Sequence, residues 1–440
     1  MTRLLIGNDF LEDLTGVTDA RQKKSGWWPQ RLLWYAKNDD ILVLPSPPDD
    51  GFFDYVTTLT GTRRSSLRIV VPPAGRLGVG LLTADRLADP DFRDGLRRAV
   101  GGRPIDAVVA LHPDANIAAL ARDFGADDAL PGYSFLSQGG GRLVNSKAVF
   151  RAIAAGADVP LPEGAACAQR ESAEEAIARL ITRGCPVMLK HEFRAGGRGN
   201  EILSPAAGLQ PIGARRTVVC ADRAEISAYL KERWDWLTDR GQHQLVVERY
   251  FPEHTAVFAE FSITDGGPQF GGDGEMLSAP MAIAEVMPTQ RVSKPVLTEL
   301  IEAGRRLCDS LYVMGYRGIL SADAIVTADE QILFTEYNGR VTGSTHIYDV
   351  IGKQIVGADY ARNRVLFERE GWSAPSFQAA LEGLAAKGLA YDPASRTGVV
   401  LVMAFNPTDS TIRHCIVAET LDLATECQRS MDALFSHAPA

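Results

Sequence analysis

Asp323, Glu336, Asn338 and Arg340 carry the strongest chemical signal in the chain. Ser321–Thr327 and Gln331–Asn338 are rich in β-branched and aromatic residues and are separated by Ala328, Asp329 and Glu330, the pattern of a hairpin. A two-residue loop at Asp329 and Glu330 would pair Ala328 with Gln331 and set Asp323 opposite Glu336. Strand side chains alternate faces, so Glu336 and Asn338 share one, as does Arg340 if the strand continues. Two facing carboxylates destabilise a sheet unless a cation lies between them. With an amide oxygen beside them they form a hard oxygen site suited to Mg²⁺, which keeps waters and reaches phosphate oxygens. Arg340 is placed to hold an anion next to that ion. A solvated acidic edge is the alternative, but apolar residues on both faces of Gln331–Tyr337 argue for a buried strand, where unpaired carboxylates are costly.

Two lysines stand upstream. Just after Lys147, Ala148–Ala155 read as a helix that Ser146 can cap, and the free N–H groups of such an end favour a nearby phosphate. Lys190 ends the hydrophobic run Pro186–Leu189 and is expensive to bury without an anion. Directly after it, Gly196, Gly197, Arg198 and Gly199 form a loop whose backbone can close over an anion and offer several N–H groups to it. The next hydrophobic run, Gln244–Val247, leads into Glu248, Arg249, Tyr250 and Phe251, with His254 opening the strand that follows.

These groups need a frame to hold them. Residues 1–135 alternate short apolar runs (Leu4–Ile6, Ile41–Leu44, Leu67–Val71, Ile105–Leu111) with helical stretches such as Ala115–Phe124, which predicts a parallel α/β sheet. Trp27, Trp28 and Trp34 read as core or as the wall of a pocket. Gly75, Gly78 and Gly80 lack the spacing of a dinucleotide loop. Helices are expected at Ala173–Arg183, Asp222–Leu237, Val296–Val313, Lys353–Glu370, Ser376–Lys387 and Leu421–Leu434. Strands are expected at His254–Thr264, Gln269–Ala284 and Gly398–Ala404. At 440 residues the chain exceeds one ordinary core and predicts two or three domains. No apolar run approaches the roughly 20 residues of a membrane span, and the N-terminal run, broken by Asn8 and Asp9, does not read as a signal peptide. The net charge of −9 argues against nonspecific nucleic-acid or acidic-membrane binding. Six scattered cysteines without a Cys-x-x-Cys pair suggest neither zinc nor disulfides but a reducing cytoplasm.

Asp323, then Glu336-x-Asn338, then Arg340 and the Gly343-Ser344-Thr345 turn, preceded by Lys147, Lys190 and the Gly-rich loop, resemble the ATP-grasp superfamily. The resemblance covers roughly residues 143–346. It implies a pre-ATP-grasp α/β domain (1–140), a small lobe with a phosphate lid (141–250), a large lobe with a metal site (251–370) and a C-terminal α/β region (371–440). The last reads as a cap or a dimerisation element, which leaves a homodimer open. By the same resemblance Lys147, Lys190, Gly196, Gly197, Arg198 and Gly199 contact ATP phosphates. Glu248, Arg249, Tyr250 and Phe251 form the adenine hinge, and His254 reaches the ribose or caps its turn. Asp323, Glu336 and Asn338 hold Mg²⁺, and Arg340 and Lys190 are catalytic. The implied activity is a carboxylate–amine ligase, with a small-molecule carboxylate donor and a peptide or amino-acid amine acceptor. Across the whole length the domain order is similar to the pheganomycin-type peptide ligases of antibiotic biosynthesis, whose donor is a guanidino-bearing acid. An ATP-grasp kinase, a noncatalytic nucleotide-binding module and a ligase for other small substrates are the rival readings.

Overall fold

The computed structural model describes residues 2–10 and 26–435. Near the N-terminus, β1 (Arg3–Ile6), β2 (Ile41–Val43), β3 (Arg68–Val70) and β4 (Ala107–Ala110) form a parallel sheet in the order β3-β2-β1-β4. Leu4, Leu5, Ile6, Ile41, Leu42 and Val43 are wholly buried. Helices cover both faces of such a sheet, so its strands read as continuous apolar runs. The helix Ala115–Asp123 is capped by Asp114, which accepts from the Ile117 amide at 2.9 Å. It turns Ile117, Leu120 and Ala121 into this core.

A second sheet follows the order β5-β9-β6-β7-β8, from β5 (Gly164–Cys167), β6 (Val187–His191), β7 (Asn200–Ser204), β8 (Thr217–Val219) and β9 (Leu245–Arg249). The helices Arg170–Ile181 and Arg223–Thr238 bury Ile177, Leu180, Ile226 and Leu230 against Val187, Leu189 and Val247. One more helix, Lys147–Gly156, leads into this lobe.

The third sheet holds the hairpin. It comprises β10 (His254–Thr264), β11 (Gly267–Ser278), β12 (Ala282–Met287), β13 (Gly318–Thr327), β14 (Ile332–Asn338), β15 (Val365–Ser373), β16 (Gly398–Leu401) and β17 (Thr411–Ala418). Their order is β14-β13-β10-β11-β12-β15-β17-β16, with every pair antiparallel. The helix Lys294–Val313 lays Val296, Leu300, Ala303, Leu307 and Leu311 against it, and each fully buried leucine contributes about 1.5–3 kcal/mol. Gly304 permits this approach, since a Cβ there would lie 2.8 Å from the Phe261 ring.

The C-terminal part departs from expectation. The predicted helix Lys353–Glu370 is instead a wide-turn helix over Ile347–Val356, ended by Gly357 at φ 142°, followed by β15. Val365, Leu366 and Phe367 find partner strands on both sides, which outweighs any local helical preference. Strand β17 was not foreseen. Position 370/371 lies inside β15, so the chain's last segment extends the sheet that carries the hairpin. Trp34 Nε1 donates to the Val402 carbonyl at 2.9 Å, and Trp27 Nε1 donates to that of Ala404. Trp34, Phe52, Val56, Phe377, Val400 and Leu401 share one core, so chain segments some 350 residues apart close on each other. Among the described residues, no helix is long and apolar enough to cross a membrane.

Candidate active site

Asp323 faces Glu336 and Ser321 faces Asn338 across β13 and β14. The loop differs from expectation. The Thr327 amide donates to the Gln331 carbonyl at 3.0 Å and Glu330 takes a left-handed φ of 61°, so three residues turn the chain rather than two. That one-residue offset would put Asp323 opposite Thr335. A bulge between Asp323 and Ala324 cancels it by leaving Thr335 outside the ladder, and bulges re-aim the backbone in this way. The freed Thr335 carbonyl accepts from Lys190 Nζ at 3.1 Å.

Asp323 is buried, receiving Ser321 Oγ at 2.7 Å and Asn338 Nδ2 at 2.9 Å. Burial, and then the Glu336 charge, push its carboxyl well above the usual range. Burial acts on Glu336 in the same sense, but Lys147 and Lys190 outweigh it and hold this carboxyl below its ordinary value. Among the described residues, no three or more Asp, Glu, His or Cys side chains cluster to hold an ion. The hairpin offers two carboxylates and an amide. A carboxyl driven toward its protonated form by burial and then by a second carboxylate fits a hard dication, and Mg²⁺ fills its remaining positions with water and phosphate oxygens.

The lysines converge on this hairpin. Ser146 Oγ caps the helix at the Val149 amide (3.1 Å), which sets Lys147 in the first turn. Lys147 Nζ reaches Glu336 Oε2 and the Arg194 carbonyl, both at 2.8 Å, so one ammonium joins the hairpin to the base of the Gly-rich loop. In that loop Gly196 and Gly197 have φ of 63° and 71°. A Cβ on Gly197 would lie 2.8 Å from the Gly213 carbonyl, and one on Gly199 would lie 2.6 Å from Arg194 Cβ. Arg198 is exposed at its tip.

Lys190 Nζ pairs with Glu248 Oε2 at 2.6 Å, while Arg151 Nη1 holds Glu248 Oε1 at 2.8 Å. The Glu248 side chain is thus engaged by two cations and wholly buried. Arg249 is exposed, with its guanidinium 4.6 Å from the Phe251 ring centroid. Tyr250 is buried, its amide donating to the Pro186 carbonyl at 2.8 Å. His254 Nδ1 donates to the Phe251 carbonyl at 2.6 Å, so its ring caps the turn. Burial lowers the pKa of this imidazole, which keeps it neutral near pH 7.

Arg340 follows the hairpin where three parts of the molecule meet. The Gly339 amide donates to the Val144 carbonyl at 2.8 Å, that of Val341 to the Leu111 carbonyl at 3.0 Å, and Arg340 Nη1 to Asn145 Oδ1 at 2.5 Å. Sequence reasoning missed several supports. Arg151 lies four residues after Lys147 in the helix, a spacing that shares a face and was legible. Glu260, wholly buried in β10, accepts from the Thr342 and Thr345 hydroxyls, the latter at 2.9 Å, and fixes the loop beyond Arg340. Its signal was a lone acid in an apolar strand.

Comparisons with known proteins agree with this architecture. Residues 29–126 match the pre ATP-grasp domain family and residues 379–431 match the PGM1 C-terminal domain family. No curated protein matches the chain in sequence. The ADP complex of an N5-carboxyaminoimidazole ribonucleotide synthetase is 14% identical at a TM-score of 0.59, over 99% of this chain and 97% of that one. The corresponding synthetase of Thermus thermophilus is 17% identical at 0.56, over the whole of both chains. The biotin carboxylase domain dimer of Hydrogenobacter thermophilus 2-oxoglutarate carboxylase, in complex with MgADP, ADP and bicarbonate, is 16% identical at 0.57, over 98% of this chain and 89% of its own. The likeness is one of fold: a pre-ATP-grasp α/β domain followed by an ATP-grasp fold of mixed α/β content.

Proposed function

We propose that this protein is an ATP-dependent carboxylate–amine ligase, joining a carboxylic acid to an amine through an acyl phosphate with release of ADP and phosphate. One observation carries the reading. Lys147 links Glu336 of the hairpin to the base of the Gly-rich loop, and Lys190 meets the same hairpin at Thr335. Groups suited to phosphate and groups suited to a metal ion are therefore in direct contact. ADP and MgADP in the similar structures support ATP and Mg²⁺ as cofactors here.

Lys147, Lys190 and the N–H groups of Gly196–Gly199 would hold the ATP phosphates, and Asp323, Glu336 and Asn338 would hold Mg²⁺. The ion, when bound, supplies charge neutralisation on the transferring phosphoryl group. The donor carboxylate attacks the γ-phosphorus and ADP leaves. An amine arriving neutral then attacks the acyl carbon, Arg340 stabilises the oxyanion, and inorganic phosphate departs. Glu248 through Phe251, with His254, are assigned to the nucleotide's adenosine end by resemblance. Within this reading the acceptor is a peptide or an amino acid and the setting is antibiotic biosynthesis, which rests on the similarity in domain order. Six free thiols favour a cytoplasmic setting, and the dimeric biotin carboxylase domain favours a homodimer. A screen of acids and amines for ATP-dependent coupling, read by mass spectrometry, tests the proposal. An amide with stoichiometric ADP and phosphate supports it; a stable phosphorylated product without amide would make the protein a kinase.

A further inference from the structure

Arg194 enters the Gly-rich loop, the segment Gly213–Arg216 packs against its exit, and both meet one indole. Trp236 lies near the end of the helix Arg223–Thr238. The guanidinium groups of Arg194, Arg215 and Arg233 lie 4.7, 5.2 and 4.3 Å from its ring centroid, each within reach of a cation–π contact. Arg233 stands three residues before Trp236 on the same helix, a spacing that makes them neighbours, and it pairs with Glu201 at 2.6 Å. The other two come from the segments on either side of the loop. Trp236 also packs against the small-lobe core, but packing does not require a guanidinium from each of those segments.

The backbone of each of these two arginines holds one end of the loop. The Arg194 carbonyl accepts from Lys147 Nζ at 2.8 Å, and the Arg215 amide donates to the Asn200 carbonyl at 3.0 Å. Next to Arg215, the Gly213 carbonyl accepts from Asn200 Nδ2 at 3.0 Å and is the atom that a Cβ on Gly197 would strike. The Gly213 amide donates to the Pro280 carbonyl at 2.7 Å, in the turn between β11 and β12. A loop with three glycines has many conformations to lose when a ligand orders it. A ring that fixes both of its ends removes part of that loss before the ligand arrives.

We propose that Trp236 is a positioning residue: by stacking Arg194 and Arg215 it pre-orders the Gly-rich loop, and with it the Arg194 carbonyl that holds Lys147. That the loop receives nucleotide phosphates rests on the ligase reading; that Trp236 orders it does not. The test compares Trp236→Leu, Trp236→Phe and Arg215→Met with wild type in the full chain. Calorimetry gives the affinities for MgADP and for adenosine. The rate at which trypsin cuts after Arg198, exposed at the tip of the loop, in nucleotide-free protein reads the population of the open loop. Trp236→Leu loses both stacks and should weaken MgADP binding and hasten the cut by roughly 5–30-fold each. Arg215→Met loses one stack and should move both by roughly 2–5-fold. Trp236→Phe keeps an aromatic face and should fall between wild type and Trp236→Leu. Adenosine carries no phosphate, so its affinity should stay unchanged, whereas damage to the whole small lobe would lower it alongside that of MgADP. Wild-type cutting rates in Trp236→Leu and Arg215→Met, an equal fall in adenosine affinity, or a Phe variant no better than the Leu variant would overturn the assignment. Faster cutting of Trp236→Leu in a protein that binds no MgADP would instead count against the nucleotide reading alone.

Discussion

Replacing Asp323 by Asn should stabilise the ion-free protein while abolishing its activity. Burial and the facing Glu336 raise the Asp323 carboxyl from 3.8 to about 7. The folded form therefore keeps a proton that the unfolded chain has already lost. Stability falls as pH rises through that window, and the loss is complete above the folded value. At roughly 1.4 kcal/mol per tenfold change in affinity for the proton, the penalty is about 4 kcal/mol. Glu336 shifts the opposite way because Lys147 and Lys190 outweigh its burial, and both lysines remain in the variant. Asn removes the charge and can still accept from Ser321 once the Asn338 amide reorients. In urea denaturation with EDTA, the variant should be more stable than wild type at pH 8 by up to about 4 kcal/mol, with roughly 40% of that gain at pH 5. A variant less stable than wild type at pH 8, or a gain that ignores pH, would refute like-charge repulsion as the state of this pair.

Further substitutions report on neighbouring parts of the candidate site. Lys190→Ala should weaken MgADP binding about tenfold or more by calorimetry, with the far-UV spectrum retained because Arg151 still neutralises Glu248. Glu336→Gln and Asn338→Ala should each cut turnover by orders of magnitude at limiting Mg²⁺; near-normal rates in both would reduce the hairpin to structure. Arg340→Ala should keep ATP binding yet lose amide formation by roughly 10²–10³-fold, the usual loss for one oxyanion donor. Trp34→Phe strands the buried Val402 carbonyl and should cost about 1–3 kcal/mol in denaturation experiments.

The hairpin shows how far local sequence reaches. Asp323 does face Glu336, but the two-residue loop assumed for it is wrong by one residue. A left-handed Glu330 and a bulge at Thr335 cancel, and the bulge carbonyl is used by a lysine from another sheet. Periodicity marks which residues share a face, not where a ladder slips. The parallel N-terminal strands and the amphipathic helices Ala115–Asp123 and Lys294–Val313 were legible because burial imposes a fixed spacing on them. The stretch Val365–Glu370 is strand where local pattern predicts helix, because its partners, β12 and β17, lie far away in sequence. The role of Trp236 escaped for the same reason: Arg194 and Arg215 lie in other segments, and only the folded small lobe brings them to one ring. Arg151 was within reach, one helical turn beyond Lys147.

The most direct test of the proposed ligase follows the oxygen atoms. The donor acid is labelled with oxygen-18 in its carboxylate and turned over with ATP and amine, and the released phosphate is analysed by mass spectrometry. An acyl phosphate predicts one labelled oxygen in each phosphate, because the acyl oxygen departs with phosphorus. Amide formed with unlabelled phosphate would contradict the mechanism.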